Sequence, residues 1–129
     1  MKYTLLTLTV LLMIQSHANA MAQAPVAVVK LGKITLKNLV SSDGYPLYVF
    51  KDDTPGVSNC SDACAQAWPP VTVKSAQEVP APFSSILRKD GTIQLTDQEN
   101  RPLYKFVQDK PGIAKGHGLH EFYLAEIIR

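Results

Sequence analysis

Apolar residues in this chain fall in short runs separated by polar turns, the signature of β-structure rather than of amphipathic helices. Ile34 to Val40 and Ile93 to Thr96 are brief β-rich runs. Each is followed by a turn-forming cluster, Ser41-Ser42-Asp43-Gly44 or Asp97-Gln98-Glu99-Asn100, and then by a second run, Leu47 to Phe50 or Leu103 to Val107. Two hairpins are therefore predicted. Lys89-Asp90-Gly91 marks another tight turn, which makes residues 85–107 a three-stranded meander led in by Ile86-Leu87. Ser58 to Pro70 contains an Ala-rich stretch, with Ser or Asn as caps and prolines as a stop, so one short helix is expected near Cys60 and Cys64. The glycines of Gly116-His117-Gly118 favour a loop, and Glu121 to Ile128 reads as a closing strand.

The runs are not independent. At a constant offset of 56, Pro46, Leu47, Tyr48, Phe50, Asp53, Pro55 and Gly56 recur as Pro102, Leu103, Tyr104, Phe106, Asp109, Pro111 and Gly112, and Val57 is matched by Ile113. The chain thus holds two copies of one unit, about residues 26–75 and 84–129, with Pro80-Ala81-Pro82 as the linker. Side chains alternate faces along a strand, so Tyr48 and Phe50 share one face and Leu47 and Val49 the other. Apolar groups on both faces require cover on both sides. The expected fold is mainly β: two tandem hairpin or meander repeats with pseudo-twofold symmetry, forming a small sandwich or partly closed barrel. In it the rings of Tyr48, Phe50, Tyr104 and Phe106 meet across the axis.

Composition narrows the setting. The chain has 129 residues, 46% of them hydrophobic and 19% charged, with a formal net charge of +2 and no basic cluster, which fits one small domain and argues against a nucleic-acid partner. Residues 1–20 read as a secretory signal peptide: Lys2 is the basic start, Leu5 to Ile14 the apolar run, and Ala18-Asn19-Ala20 the cleavage site. Met21 is then the expected first residue of a single mature domain over residues 21–129. The apolar run is shorter than the ~20 residues a spanning helix needs, so no stable membrane insertion is expected after cleavage. A periplasmic or secreted location follows.

These residues resemble a bacterial family of secreted repeats of unknown function, also described as predicted lipoproteins with a Tyr-x-(Phe/Trp/Tyr)-x-x-Asp motif. Both copies carry it, as Tyr48-Val49-Phe50-Lys51-Asp52-Asp53 and as Tyr104-Lys105-Phe106-Val107-Gln108-Asp109. The likeness extends to the Pro-Leu-Tyr entry, to Cys60 to Pro70 and to Asp90-Gly91-Thr92-Ile93-Gln94. Two departures stand out. Many relatives look lipid-anchored, whereas no cysteine lies near the cleavage point here, so lipidation is not expected; and the family's second repeat usually ends in Trp-His where this chain has Phe122-Tyr123. What the resemblance implies is fold and compartment.

Candidate chemistry is sparse. An even cysteine count in an exported chain favours a structural disulfide between Cys60 and Cys64, fixing the turn that presents Trp68 as a structural anchor. The alternative is copper-binding or thiol-redox accessory work by the same pair, because thiolates suit copper(I), joined by His117 and His120 with Glu121 beside them. In the motif, Phe50 and Phe106 are expected in the core and the tyrosines in the core with a wet hydroxyl. Asp53 and Asp109 are expected to accept backbone N–H groups of the Pro-Gly turn that follows each. No nucleophile elbow, phosphate loop or dinucleotide fingerprint is present, so no enzyme and no cofactor are expected. The function that remains is an exported non-enzymatic module binding an envelope protein or a small ligand.

Overall fold

The computed structural model describes residues 26–31 and 34–126, with side chains placed from Lys37 onward. The expected signal segment, the expected Met21 start and the last residues of the expected closing strand, Ile127 and Ile128, lie outside the described residues.

The architecture is mainly β. Strands β1 (Val26–Leu31) and β2 (Ile34–Leu39) form an antiparallel hairpin in which Val26 faces Leu39 and Leu31 faces Ile34. Strand β3 (Tyr48–Phe50) is followed by a five-residue helix, α1 (Ala63–Ala67), and the two-residue strand β4 (Thr72–Val73). The second copy supplies β5 (Ser84–Leu87) and β6 (Ile93–Thr96), and the described chain closes with β7 (Phe122–Leu124). β6 sits between β4 and β5, and β3 pairs antiparallel with β7. The expected meander is present with one change: Leu103 to Val107 is not a continuous strand but a run of single bridges, Thr96 to Pro102 and Tyr104 to both Tyr48 and Pro70. Val107 already belongs to the next turn.

The duplication reads directly from the backbone hydrogen bonds. The hairpin turn closes with Ser41 N–H to Tyr45 O (2.9 Å) in copy one and with Asp97 N–H to Arg101 O (3.0 Å) in copy two. Its last position is left-handed in both, as Gly44 (φ +87°) and as Asn100 (φ +60°), the two residue types that reach that region most readily. Tyr48 and Tyr104 exchange N–H to O bonds with each other (2.8 and 2.9 Å), so the pseudo-twofold axis passes between them.

Across that axis each copy completes the other. In copy one, Leu47 N–H donates to Leu39 O (3.1 Å), Leu39 N–H to Ala125 O (2.9 Å), and Ala125 N–H back to Leu47 O (2.8 Å). Copy two repeats the ring with Leu103 to Leu95 (3.0 Å), Leu95 to Val71 (2.8 Å) and Val71 to Leu103 (2.9 Å). Ala125 lies in the tail of copy two and closes copy one, while Val71 lies in the tail of copy one and closes copy two. The tails have crossed. An unfilled ring would leave buried N–H and C=O groups without partners, at about 1–3 kcal/mol each, so neither copy is complete alone.

The two expected faces become two apolar cores. On one side Tyr48, Trp68, Tyr104, Phe106, Phe122 and Leu124 cluster with Val40 and Cys60, and Phe50 packs against them. On the other, Leu39, Leu47, Leu103 and Ala125 are covered by Val49, Val71, Phe83 and Leu95. Tyr48 and Phe50 thus share one core, and Leu47 and Val49 the other. The layers are sandwich-like, and among the described residues no barrel closes.

Candidate functional site

The motif residues meet at the axis, in a pairing that crosses between copies. The Tyr48 hydroxyl donates to Asp109 Oδ2 and the Tyr104 hydroxyl to Asp53 Oδ2, each at 2.6 Å. The second oxygen of each carboxylate takes a backbone N–H six residues on: Asn59 to Asp53 Oδ1 and Lys115 to Asp109 Oδ1, both 2.7 Å. Two expectations are therefore corrected. The hydroxyls are not wet, because tyrosine and aspartate of opposite copies face each other; and the carboxylates bind beyond the Pro-Gly turns, which close on themselves through Thr54 with Val57 and Lys110 with Ile113. Each Pro-Gly turn instead docks on the other copy's hairpin, through Gly56 N–H to Asn100 O (2.8 Å) and Gly112 N–H to Gly44 O (3.0 Å).

Burial, reinforced by the bond to a carboxylate, pushes both tyrosine hydroxyls well above their usual pKa range. Burial likewise raises the Asp53 carboxyl, although the Asn59 N–H and Tyr104 hydroxyl favour its charged form. The copies differ in what else reaches the hydroxyls. In copy one Ser58 Oγ lies 2.7 Å from the Tyr104 hydroxyl and accepts from Arg88 Nη1 at 2.8 Å, so donors run from guanidinium to serine to tyrosine to Asp53. Arg88 also grips Gln94 Oε1 and Cys60 O, both at 2.7 Å. Copy two has Ala114 in place of Ser58, and there Gly116 N–H donates to the Tyr48 hydroxyl at 3.1 Å.

Trp68 fills the centre of this core at 1% exposure. Its indole is stacked between Phe122 (4.0 Å, 4°) and Phe106 (4.3 Å, 23°), with Tyr48 edge-on at 5.1 Å. Helix α1 delivers it: Trp68 N–H bonds to Cys64 O at 2.8 Å, and Cys64 is joined to Cys60 by a disulfide. No Ser or Asn side chain caps this helix. Asp62 occupies the N-terminal position at φ +53° without a side-chain bond, and the disulfide ties the first turn down in its place. No free cysteine is present among the described residues.

His117 and His120 are held by separate partners. His117 Nδ1 accepts Leu124 N–H at 3.1 Å, and His120 Nδ1 faces Trp68 Nε1 at 3.4 Å. Glu121 pairs with Lys51 at 3.1 Å. Among the described residues no three His, Cys, Asp or Glu side chains gather as a metal site. Glu121 belongs to a 3-10 turn, Leu119–Glu121, rather than to the closing strand, which begins at Phe122.

A cleft of about 400 Å³ lies on the second core. Its floor takes Leu39 and Leu47 from one backbone ring and Val71 and Leu95 from the other, while Val79, Pro80 and Phe83 of the linker form a wall. Ser41, Asp43, Glu78 and Lys105 stand at its rim. A hydrogen bond from Ser41, aided by the charge of Lys105, holds the Asp43 carboxyl below its usual range. No signal in the sequence marks this cleft, because its floor exists only once the two copies are joined.

Residues 37–72 match the profile of a family described as a secreted repeat of unknown function. No curated protein and no solved structure is matched by the chain. The matched segment runs from Lys37 within β2 to Thr72 at the start of β4, and so includes Val71, which closes the other copy's ring. No helix among the described residues is long and apolar enough to cross a membrane.

Proposed function

We propose that this protein is an exported, non-catalytic binding module whose cleft takes a small apolar or amphipathic ligand from the cell envelope. The observation that carries the reading is the contrast between its two cores. The aromatic core is consumed internally, with the Tyr48–Asp109 and Tyr104–Asp53 pairs bonded to each other rather than to an open site. The aliphatic core leaves a cleft of about 400 Å³ with an apolar floor and a polar rim, within the size range of small-molecule sites. Export is supported by the leader-like start of the chain and by the secreted character of the matched family.

The test is titration of the folded protein with the uncharged fluorescent probe N-phenyl-1-naphthylamine, alongside Val79→Asp, which places a charge in the half-buried linker wall. Saturable binding at one site that is lost in the variant, while its circular dichroism is retained, is the expected outcome. Absence of saturable binding, or binding indifferent to the substitution, overturns the reading.

A further inference from the structure

The surface that copy one offers copy two in this chain is the same surface that it would offer copy two of another chain. Among the described residues, the bonds that tie the halves together include the two Tyr–Asp pairs, the Tyr48–Tyr104 bridge, the third member of each backbone ring and the docking of each Pro-Gly turn on the other copy's hairpin. One covalent segment, residues 74–83, joins them, and Ala76, Gln77, Glu78, Ala81 and Pro82 in it are exposed.

We propose that copies of this chain exchange halves, residues 26–73 of one closing on residues 84–126 of another. The product is a reciprocal dimer in which each Tyr–Asp pair, each ring and each cleft is built by two chains. This assembly does not depend on the ligand reading above, since it rests on the crossed bonds alone. Every non-covalent contact between halves is the same in monomer and dimer, so the choice between them is set by the linker and by concentration. A short tether that spans its two ends supplies its partner at an effective concentration of about millimolar, so the monomer dominates in micromolar solution and exchange competes only when chains fold at comparable concentration. Once formed, the dimer is trapped, because separating it means opening both aromatic and aliphatic cores.

The linker gives an independent handle. β4 ends opposite Ile93 on one side of β6, and β5 starts opposite Thr96 on the other. The segment must therefore span two strand spacings and three residues of rise, about 14 Å. Deleting residues 75–82 leaves Lys74 and Phe83, whose three Cα–Cα steps reach only about 10 Å.

The experiment unfolds the full chain with its disulfide intact and refolds it at about 1 mM and at about 1 μM, reading mass by light scattering. Expected is a dimer from the concentrated sample alone, one that survives dilution and reverts only after a new cycle of unfolding. The deletion variant is expected to double in mass at micromolar concentration. Wild-type chain that refolds at the higher concentration as monomer only overturns the proposal. So does a dimer that forms from native monomer without unfolding and falls apart on dilution, or a folded, monomeric deletion variant. Where the deletion variant does not fold, the wild-type refolding decides.

Discussion

Tyr48→Phe removes one oxygen and leaves the ring that packs edge-on against Trp68 in place. Two bonds go with it: the 2.6 Å donation to Asp109 Oδ2 and the 3.1 Å bond accepted from Gly116 N–H. The first is a bond to a buried carboxylate, a class that contributes roughly 1.5–3 kcal/mol, and the second leaves a buried amide unpaired at about 1 kcal/mol or more. Relaxation of the loop around Lys115 offsets part of this, so a loss of about 2–3 kcal/mol is expected. For a domain of this size that lowers Tm by about 8–15 °C, read by circular dichroism or calorimetry. A double-mutant cycle with Asp109→Asn separates the pair from its surroundings and is expected to show coupling of about 1 kcal/mol or more. A destabilisation under about 0.5 kcal/mol, the range of inconsequential surface changes, would refute the crossed pairing as a closing interaction.

Other perturbations probe neighbouring parts of the same account. Gly116→Ala puts a Cβ 2.5 Å from Trp68 Cη2 and 3.0 Å from Phe106 Cδ1, and the overpacking should cost about 1–3 kcal/mol in urea unfolding. At high pH the sign follows from the raised tyrosine pKa values. The fold favours the neutral hydroxyls, so their contribution is complete below about pH 10 and declines as pH rises beyond it. Absorbance at 295 nm should then show two tyrosines ionising only as the protein unfolds, and ionisation of all tyrosines in the native state would contradict this. Reducing the Cys60–Cys64 disulfide opens a very short loop and should lower stability by about 2 kcal/mol in paired thermal melts with and without reductant.

The parts of this fold legible in the sequence are those that recur at a fixed spacing. Offset identities from Pro46 to Gly56 expose the duplication, and alternation at Leu47, Tyr48, Val49 and Phe50 assigns side chains to two cores. Pairing across the axis is invisible at that level. Tyr48 and Asp53 are five residues apart and look like a local unit, yet the partner of Tyr48 is 61 residues away. The same holds for Val71, whose short β-branched stretch gives no sign that it closes a ring with Leu95 and Leu103. Local propensity also failed at the start of α1, where no Ser or Asn side chain caps and Asp62 stands at the N-terminal position without a side-chain bond, and at Glu121, where a left-handed turn overrides the strand preference. His117 and His120 lie three residues apart but hold different elements, because Gly118 between them and His120 itself are left-handed and turn the chain.

The central claim is that neither repeat closes without the other, and native-state hydrogen exchange tests it at the atoms concerned. Amides of Leu39, Leu47 and Ala125 belong to one ring and those of Leu95, Leu103 and Val71 to the other. Mutual closure predicts that all six exchange through the same global opening, and that Tyr48→Phe lowers the protection of all six by one common free energy. Loss of protection confined to a single ring, with the other unmoved, would show that the repeats are separate units and contradict the account.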